Sequence, residues 1–270
     1  MAGMLTGLGG ALAAATDPPV PAGRDPGGYP VAIVGAGIDY TRDTISQRLA
    51  RDGEGEIIGY DFIDDDRRPY ATGAETDASE ILLGEGQAAT LVVVRADVLQ
   101  AQLLARAIGY AAQSPARIIA VFGPAGDARV EAVLAAAAQK FPEHLFLASI
   151  DADQPPATTV NRERAPNLLI VTNARADAVP SPPARDEIAR ADIAIDVSDL
   201  RQRPTSVTSG QIALARTAAL AARLMAVDTL ARAADLKNRI VALAEPLPDA
   251  KKFVAQRGWI PQPRRHFWLE

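Results

Sequence analysis

The sequence contains no cysteine and only two histidines, and each scarcity excludes a class of chemistry. Without cysteine there is no disulfide, no thiolate nucleophile and no Cys-ligated zinc or iron–sulfur centre. His144 and His266 are the only imidazoles, so a histidine-rich metal site is excluded and histidine-based acid–base catalysis has two candidates. We therefore expect neither a metal nor a cofactor.

Excess positive charge and long apolar runs are also missing. The 28 basic residues are outnumbered by 33 acidic ones, giving a net charge of −5. A nucleic-acid surface needs a basic excess on one face, so no nucleic-acid partner is expected. Since no run of about 18 apolar residues occurs, we predict no membrane span.

The two chain ends differ in composition from the middle. Residues 1–16 are small and apolar and resemble the end of a secretory signal, with Ala-Leu-Ala at 11–13 as cleavage site, but the basic n-region is missing. They are interpreted either as that signal, with an exported or periplasmic protein, or as a flexible arm of a cytoplasmic one. Residues 17–30 are rich in proline and glycine, which indicates a linker. The predicted organisation is an arm and linker at 1–30, one domain at 31–246 and an extended tail at 247–270.

Between the two ends, short apolar segments alternate with helical ones. Strands that are apolar along their whole length, separated by helices, indicate a mostly parallel sheet covered on both faces. The predicted strands are 31–34, 57–63, 90–94, 117–122, 145–150, 168–171 and 193–197. The predicted helices are 44–51, 75–83, 99–113, 128–140, 209–232 and 236–244.

The first strand runs into Gly35-Ala-Gly37, which allows two interpretations. One is a dinucleotide-binding fingerprint of Rossmann type, with Asp61 or Asp64 as the later acidic group. Against it, Tyr40 replaces the third glycine and Asp39 would bring negative charge to the pyrophosphate.

The other interpretation rests on several segments in a fixed order. VAIVGAGIDY (31–40) resembles a strand that leads to a catalytic aspartate and is followed by Ile-Asp. GYDFIDDD (59–66), with Pro69, resembles the segment that precedes a helix with the sequence His-Gly-Thr-His. RIIAVFG (117–123) resembles the strand that lines a substrate groove, APNLLIVT (165–172) a later "P-N-x-I-x-V" strand, and SGQIALARTAAL (209–220) the "G-T-S-M-A-A-P" helix. Over residues 31–244 the chain resembles the subtilisin-like serine proteases.

This resemblance implies a three-layer α/β fold with a largely parallel sheet, and it implies a lost active site. Gly35 falls on the catalytic aspartate, Ala74 on the histidine and Gln211 on the nucleophilic serine, while Ala152 falls near the oxyanion asparagine. None of these side chains can act as acid, base or nucleophile. We therefore expect a catalytically inactive protein that binds or scaffolds a protein partner as a subunit of a larger assembly.

Two other chemistries stay open at the same place. The sedolisin-type proteases have a glutamate where subtilisins have histidine, so Glu75, Asp77 or Glu80 would serve with a hydroxyl from Ser206, Thr208 or Ser209. Alternatively, Asp39, Asp43, Glu75 and Asp77 would bind a hard cation through oxygen ligands. The simpler interpretation of these four is a solvated acidic rim at helix starts.

The tail mixes aromatic and cationic residues, which are frequent at protein interfaces. Two interpretations of the tail are open: it packs back on its own domain, or it docks on another chain. The residues predicted to contact a partner are Phe122 in the groove strand and Trp259, Arg264, Arg265, Phe267 and Trp268 in the tail.

Overall fold

The structure is a computed structural model. It describes residues 17–151, 164–174, 191–198, 206–246, 255 and 257–261. Within them no helix is both long and apolar enough to cross a membrane.

Among the described residues, eight strands form one parallel sheet in the middle of the protein, in the order β2-β3-β1-β4-β5-β6-β7-β8. The strands are β1 (Tyr29–Gly35), β2 (Gly59–Asp61), β3 (Ala89–Arg95), β4 (Ile118–Pro124), β5 (Leu145–Ile150), β6 (Leu168–Ala174), β7 (Ile193–Asp196) and β8 (Trp259–Ile260). Because both faces of the central strands are buried, their apolar runs do not alternate with polar residues.

Helices cover both faces of this sheet. They are α1 (Asp43–Ser46), α2 (Ala74–Glu85), α3 (Ala101–Gln113), α4 (Ala128–Lys140), α5 (Ser209–Val227) and α6 (Ala233–Ala242). In β1, Val31 and Ile33 belong to the core that holds α2, α5 and α6, while Ala32 and Val34 belong to the core that holds α3 and α4. The predicted three-layer α/β fold is confirmed.

Three predicted elements are shorter than their sequence pattern. The helix predicted at 44–51 is the single turn α1, because the following residues pair with the sheet: Leu49 bridges Leu91, and the Ala50 amide donates to the Leu91 carbonyl at 2.8 Å. The strand predicted at 57–63 keeps only 59–61, because the Asp61 carboxylate accepts from the amides of the next turn. The helix predicted at 209–232 ends at Val227, and a separate turn leads to α6.

The described parts of the chain ends contact the domain. Residues 17–30 have no regular element before Tyr29, yet the Tyr40 hydroxyl and the Arg51 guanidinium donate to the carbonyls of Pro18 and Pro21, each at 2.6 Å. Trp259 and Ile260, predicted to lie in an irregular tail, form β8 instead. Trp259 also exchanges both backbone hydrogen bonds with Glu245, at 2.8 and 2.9 Å.

Candidate active site

Gly35 ends β1 at the carboxyl edge of the sheet, where ligands bind in open parallel sheets. A Cβ atom at this position would lie 3.1 Å from the Phe122 Cβ and 3.2 Å from the Glu75 Oε1. These distances are tighter than nearly all real Cβ contacts. The space that a side chain at Gly35 would need is therefore occupied, in part by the carboxyl of Glu75.

Glu75 is the second residue of α2 and is only 9% exposed. Its Oε1 accepts a long hydrogen bond of 3.5 Å from the Ala36 amide. Burial raises the pKa of the Glu75 carboxyl, while hydrogen bonds from the backbone of Glu75 and Ala36 oppose the shift. Ala74, the preceding residue, is half-buried and brings only a methyl group.

Gln211 at the start of α5 uses its side chain to cap the helix. Its Oε1 accepts from the Thr208 amide at 3.0 Å, and the Thr208 hydroxyl accepts from the Gln211 amide at 3.2 Å. This reciprocal pair is a capping box, which satisfies two amides that the first helical turn leaves free. The capping box therefore holds the Gln211 side chain against the end of its own helix.

Asp151 binds the same helix end from the opposite side. Its Oδ1 accepts from the Gly210 amide at 2.5 Å, and a Cβ atom at Gly210 would lie 2.7 Å from that oxygen. An oxyanion hole needs backbone or amide donors that are free to receive a developing negative charge. Here a carboxylate already occupies the donor that precedes Gln211. Ala152, the predicted oxyanion position, lies outside the described residues.

Arg42 joins the acidic residues at the rim. Its Nη1 lies 2.9 Å from Asp77 and 2.8 Å from Glu80, and its Nε lies 3.7 Å from Asp39. The Asp77 carboxylate also accepts a hydrogen bond from the Ser206 hydroxyl. The four carboxylates considered for a cation site, those of Asp39, Asp43, Glu75 and Asp77, do not converge in the described part of the chain, and Arg42 pairs with two of them, Asp39 and Asp77.

A different acidic group converges elsewhere among the described residues. Carboxylate oxygens of Asp17, Asp61 and Asp64 lie within 4.8 Å of one another. The Arg95 Nη1 contacts Asp61 at 2.6 Å and Asp64 at 2.5 Å, so a cation of the protein itself is already present.

The Gly35–Gly37 segment does not form a dinucleotide cradle. Gly37 has a φ of +96°, and a Cβ atom there would lie 2.9 Å from both the Arg95 Cδ and the Pro69 carbonyl oxygen. The chain then continues without a helix as far as Asp43. A dinucleotide phosphate needs open backbone amides at a helix that starts directly after the strand. The Rossmann interpretation is wrong, because no helix begins directly after β1.

Comparison with solved structures decides the fold. A cold-adapted subtilisin-like serine proteinase matches with a TM-score of 0.60 at 14% identity, over 89% of each chain. The MycP3 protease of the type VII (ESX-3) secretion system matches with a TM-score of 0.57 at 16% identity, over 89% of this chain and 83% of that one. A chain of an intact ESX-5 inner membrane complex matches with a TM-score of 0.58 at 14% identity, over 89% and 74%.

The chain has the subtilisin-like fold. At such identities the likeness concerns the fold alone. No family model matches the sequence, and no curated protein does.

Within this subtilisin-like fold, two of the residues predicted to contact a partner, Phe122 and Trp259, are among the described residues. Phe122 is 4% exposed and packs in the core beside Gly35, so it does not present its ring to a partner. Trp259 is half-buried against Ala191, Ala194 and Ala255, and its role in binding stays a prediction. Arg264, Arg265, Phe267 and Trp268 lie outside the described residues.

The structure brings one hydroxyl considered for a sedolisin-type site together with one candidate base, because the exposed Ser206 donates a hydrogen bond to Asp77. Thr208 caps α5 and Ser209 is buried. Glu80, one of the proposed bases, accepts from the Thr44 hydroxyl at 2.6 Å in addition to its ion pair with Arg42.

Sequence reasoning overlooked two groups at the site and one ion pair away from it. Asp151 and Arg42 have just been described. The third is a fully buried ion pair between Arg216 on α5 and Glu85 on α2, whose Nε and Oε1 atoms lie 3.1 Å apart. The sequence pattern gives no indication of Arg216, because this residue lies in an Ala/Leu-rich helix. Asp151 could have been identified, because it directly follows the apolar strand β5.

Proposed function

We propose that this protein is a catalytically inactive subtilisin-like domain that binds a protein partner as a subunit of a larger assembly. Hydrolysis by this fold requires a nucleophile, a base that removes its proton and a group that orients the base. At the matching places the chain has Gln211, Ala74 and Gly35.

The observation that carries the proposal is the hydrogen bond from the Gly210 amide to Asp151. A negative charge next to the place where an oxyanion would form opposes the transition state, and one lost oxyanion donor alone costs about 2.7–4 kcal/mol of its stabilisation. The Glu75 carboxyl fills the space beside Gly35 in the same way. In both places a carboxyl group fills the space and maintains the packing, and the arrangement that hydrolysis needs is lost.

A structural neighbour supports the partner role. One matching chain is part of an intact ESX-5 inner membrane complex, so this fold is found in a multi-protein assembly. We infer a comparable subunit role for this chain.

The proposal is tested by affinity purification of the tagged full-length protein from its native cell, with mass spectrometry and measured stoichiometry. The matched control lacks residues 262–270 and keeps β8, which a longer deletion would remove from the sheet. We expect a partner in fixed stoichiometry with the full chain, and its loss with the shortened one if the tail carries the contact. Absence of any stoichiometric partner with either protein would contradict the subunit role.

A further inference from the structure

The two most exposed large apolar side chains in the described part of the chain lie together on the turn that follows α5. Leu230 is 86% exposed and Val227 is 69% exposed. The other exposed large apolar residues, Ile63 and Leu99, are 48% and 45% exposed and lie in separate loops. A single apolar residue at a surface is ordinary, whereas two on one turn make a local apolar surface. We call residues 226–230 the α5–α6 turn.

Hydrogen bonds fix the backbone of the α5–α6 turn. The Asp228 carboxylate accepts from the Leu230 amide at 3.2 Å and from the Arg239 guanidinium of α6 at 2.6 Å. The Arg117 guanidinium, which belongs to the residue before β4, donates to the Thr229 carbonyl at 3.3 Å. Because the turn is already ordered, a ligand that binds it loses little conformational entropy in ordering it.

Positive charge accompanies the apolar side chains. Arg117 is half-buried and Arg232, directly before α6, is exposed. Within the described part of the chain neither guanidinium forms an ion pair. Arg239 differs from them, because it is paired with Asp228 at 2.6 Å. An exposed carboxylate, Asp235, lies in the first turn of α6. Two guanidiniums beside the turn therefore remain available to an anionic ligand.

We propose that the α5–α6 turn binds the surface of an anionic lipid bilayer, with Leu230 and Val227 at the acyl chains and with Arg117 and Arg232 at the headgroup phosphates. Apolar side chains flanked by cations are typical of segments that lie in the membrane interface. A protein-binding surface usually depends on Trp, Tyr and Arg anchors, and leucine and valine are under-represented among them. The chemistry of this turn therefore favours a lipid surface over a protein.

The position of the turn separates this contact from the candidate active site. Arg117 precedes β4 at the amino edge of the sheet, and its contact with Thr229 brings the turn to that edge. Gly35 ends β1 at the carboxyl edge. A protein bound to a bilayer through the turn therefore directs the opposite edge, with Gly35, away from the lipid.

The test is co-sedimentation of the whole protein with vesicles of phosphatidylcholine alone and of phosphatidylcholine mixed with phosphatidylglycerol. The variant Val227→Ser/Leu230→Ser removes the apolar side chains of the turn. The matched control is Ile63→Ser/Leu99→Ser, which removes the other two exposed apolar side chains. Arg232→Gln tests the contribution of a cation.

Insertion into the bilayer is measured with a fluorophore on a single cysteine. Because the sequence contains no cysteine, Leu230→Cys and Leu99→Cys each provide one position for the label. The emission of an environment-sensitive label at position 230 should shift to shorter wavelength on anionic vesicles. The same label at position 99 should keep its emission.

We expect binding to the anionic vesicles and much weaker binding to phosphatidylcholine alone. Val227→Ser/Leu230→Ser should weaken binding roughly a hundredfold, about tenfold for each aliphatic side chain that no longer leaves water. Arg232→Gln should weaken it about fivefold, the contribution of one cation at an anionic surface. Ile63→Ser/Leu99→Ser should bind like the unaltered protein.

Three results would each overturn the inference: no binding to anionic vesicles, equal binding by Val227→Ser/Leu230→Ser, or equal shifts of the labels at positions 99 and 230. A protein partner that the unaltered chain captures and this serine variant loses, without any binding to vesicles, would overturn it as well and would assign the turn to a protein interface.

Discussion

The Asp151 carboxylate accepts a hydrogen bond of 2.5 Å from the Gly210 amide, and each of the two residues explains the presence of the other. Glycine at 210 leaves room for the carboxylate, since a Cβ atom would lie 2.7 Å from its oxygen. The carboxylate in turn satisfies an amide in the first turn of α5, where negative charge is favourable.

The first prediction is that the Asp151 carboxylate causes most of the crowding at Gly210. In the unaltered protein, Gly210→Ala should destabilise the fold by about 1–3 kcal/mol, because the new methyl overlaps this carboxylate. In an Asp151→Ala background the cost should be smaller, because the carboxylate contact is gone and the backbone nitrogen of position 151, at 3.2 Å, is the close contact that remains. Urea unfolding of the four proteins measures both values. An equal effect of Gly210→Ala in the two backgrounds would contradict the contact.

The second prediction concerns Gly35. Gly35→Asp, which restores the acidic residue of the protease pattern, should destabilise the protein by about 1–3 kcal/mol through crowding against Phe122 and Glu75. The additional change Glu75→Ala should recover part of this loss by vacating the space and removing a like charge. Thermal unfolding of the single and double variants measures the recovery. If the double variant recovers no stability, Glu75 does not occupy the space that a side chain at position 35 needs.

The third prediction is a pH dependence that comes from Glu75. Burial raises its folded-state pKa above the ordinary value of 4.5, so the folded protein holds this proton more tightly than the unfolded chain. The resulting stability is fully present below the unfolded pKa and is lost as the pH rises through the folded pKa. Glu75→Gln should therefore match the unaltered protein at acid pH and exceed it in stability at neutral pH. A melting-temperature difference that stays constant between acid and neutral pH would contradict this.

The fourth prediction concerns the ion pair of Arg216 and Glu85 between α5 and α2. Arg216→Met alone should cost about 3–5 kcal/mol, because it leaves a buried carboxylate without its counter-ion. The double change Glu85→Leu/Arg216→Met should recover much of that loss. Recovery stays incomplete because Arg216 also donates to the Asp196 carbonyl at 2.5 Å, and a buried carbonyl that loses its donor costs about 1–3 kcal/mol. Urea unfolding of the three variants checks the order, and a double variant less stable than Arg216→Met would contradict it.

The sequence predicted the sheet and its covering helices because both depend on local hydrophobic pattern. β5 and α4 follow their predicted bounds for this reason. Where prediction failed, contacts distant in sequence decided the outcome. The short helix α1 is cut off by pairing with β3, and β8 forms only because β7 offers a free edge to two residues 65 positions later.

The sequence alone placed Gly35 at the end of the first strand and Gln211 near the start of α5, and their match to the protease triad stays a prediction. It did not predict the contacts that these two places make. Glu75 and Asp151 could be assigned to their positions only from coordinates, because each acts across the site on a residue 40 or 59 positions away in sequence. The dinucleotide interpretation failed for a similar reason, since Ile38, where the fingerprint needs a helix to begin, bridges Tyr70 from a distant segment.

The most direct test of the central claim is a peptidase assay of the purified protein on an unfolded, fluorescently labelled protein substrate at acid and at neutral pH. We predict no cleavage above background at either pH, because Gly35, Ala74 and Gln211, the residues that we match to the triad, supply neither nucleophile nor base, and the helix-end amide of Gly210 donates to Asp151. Cleavage that disappears with Ser206→Ala, Thr208→Ala or Ser209→Ala would contradict the account and show that the site is an active peptidase.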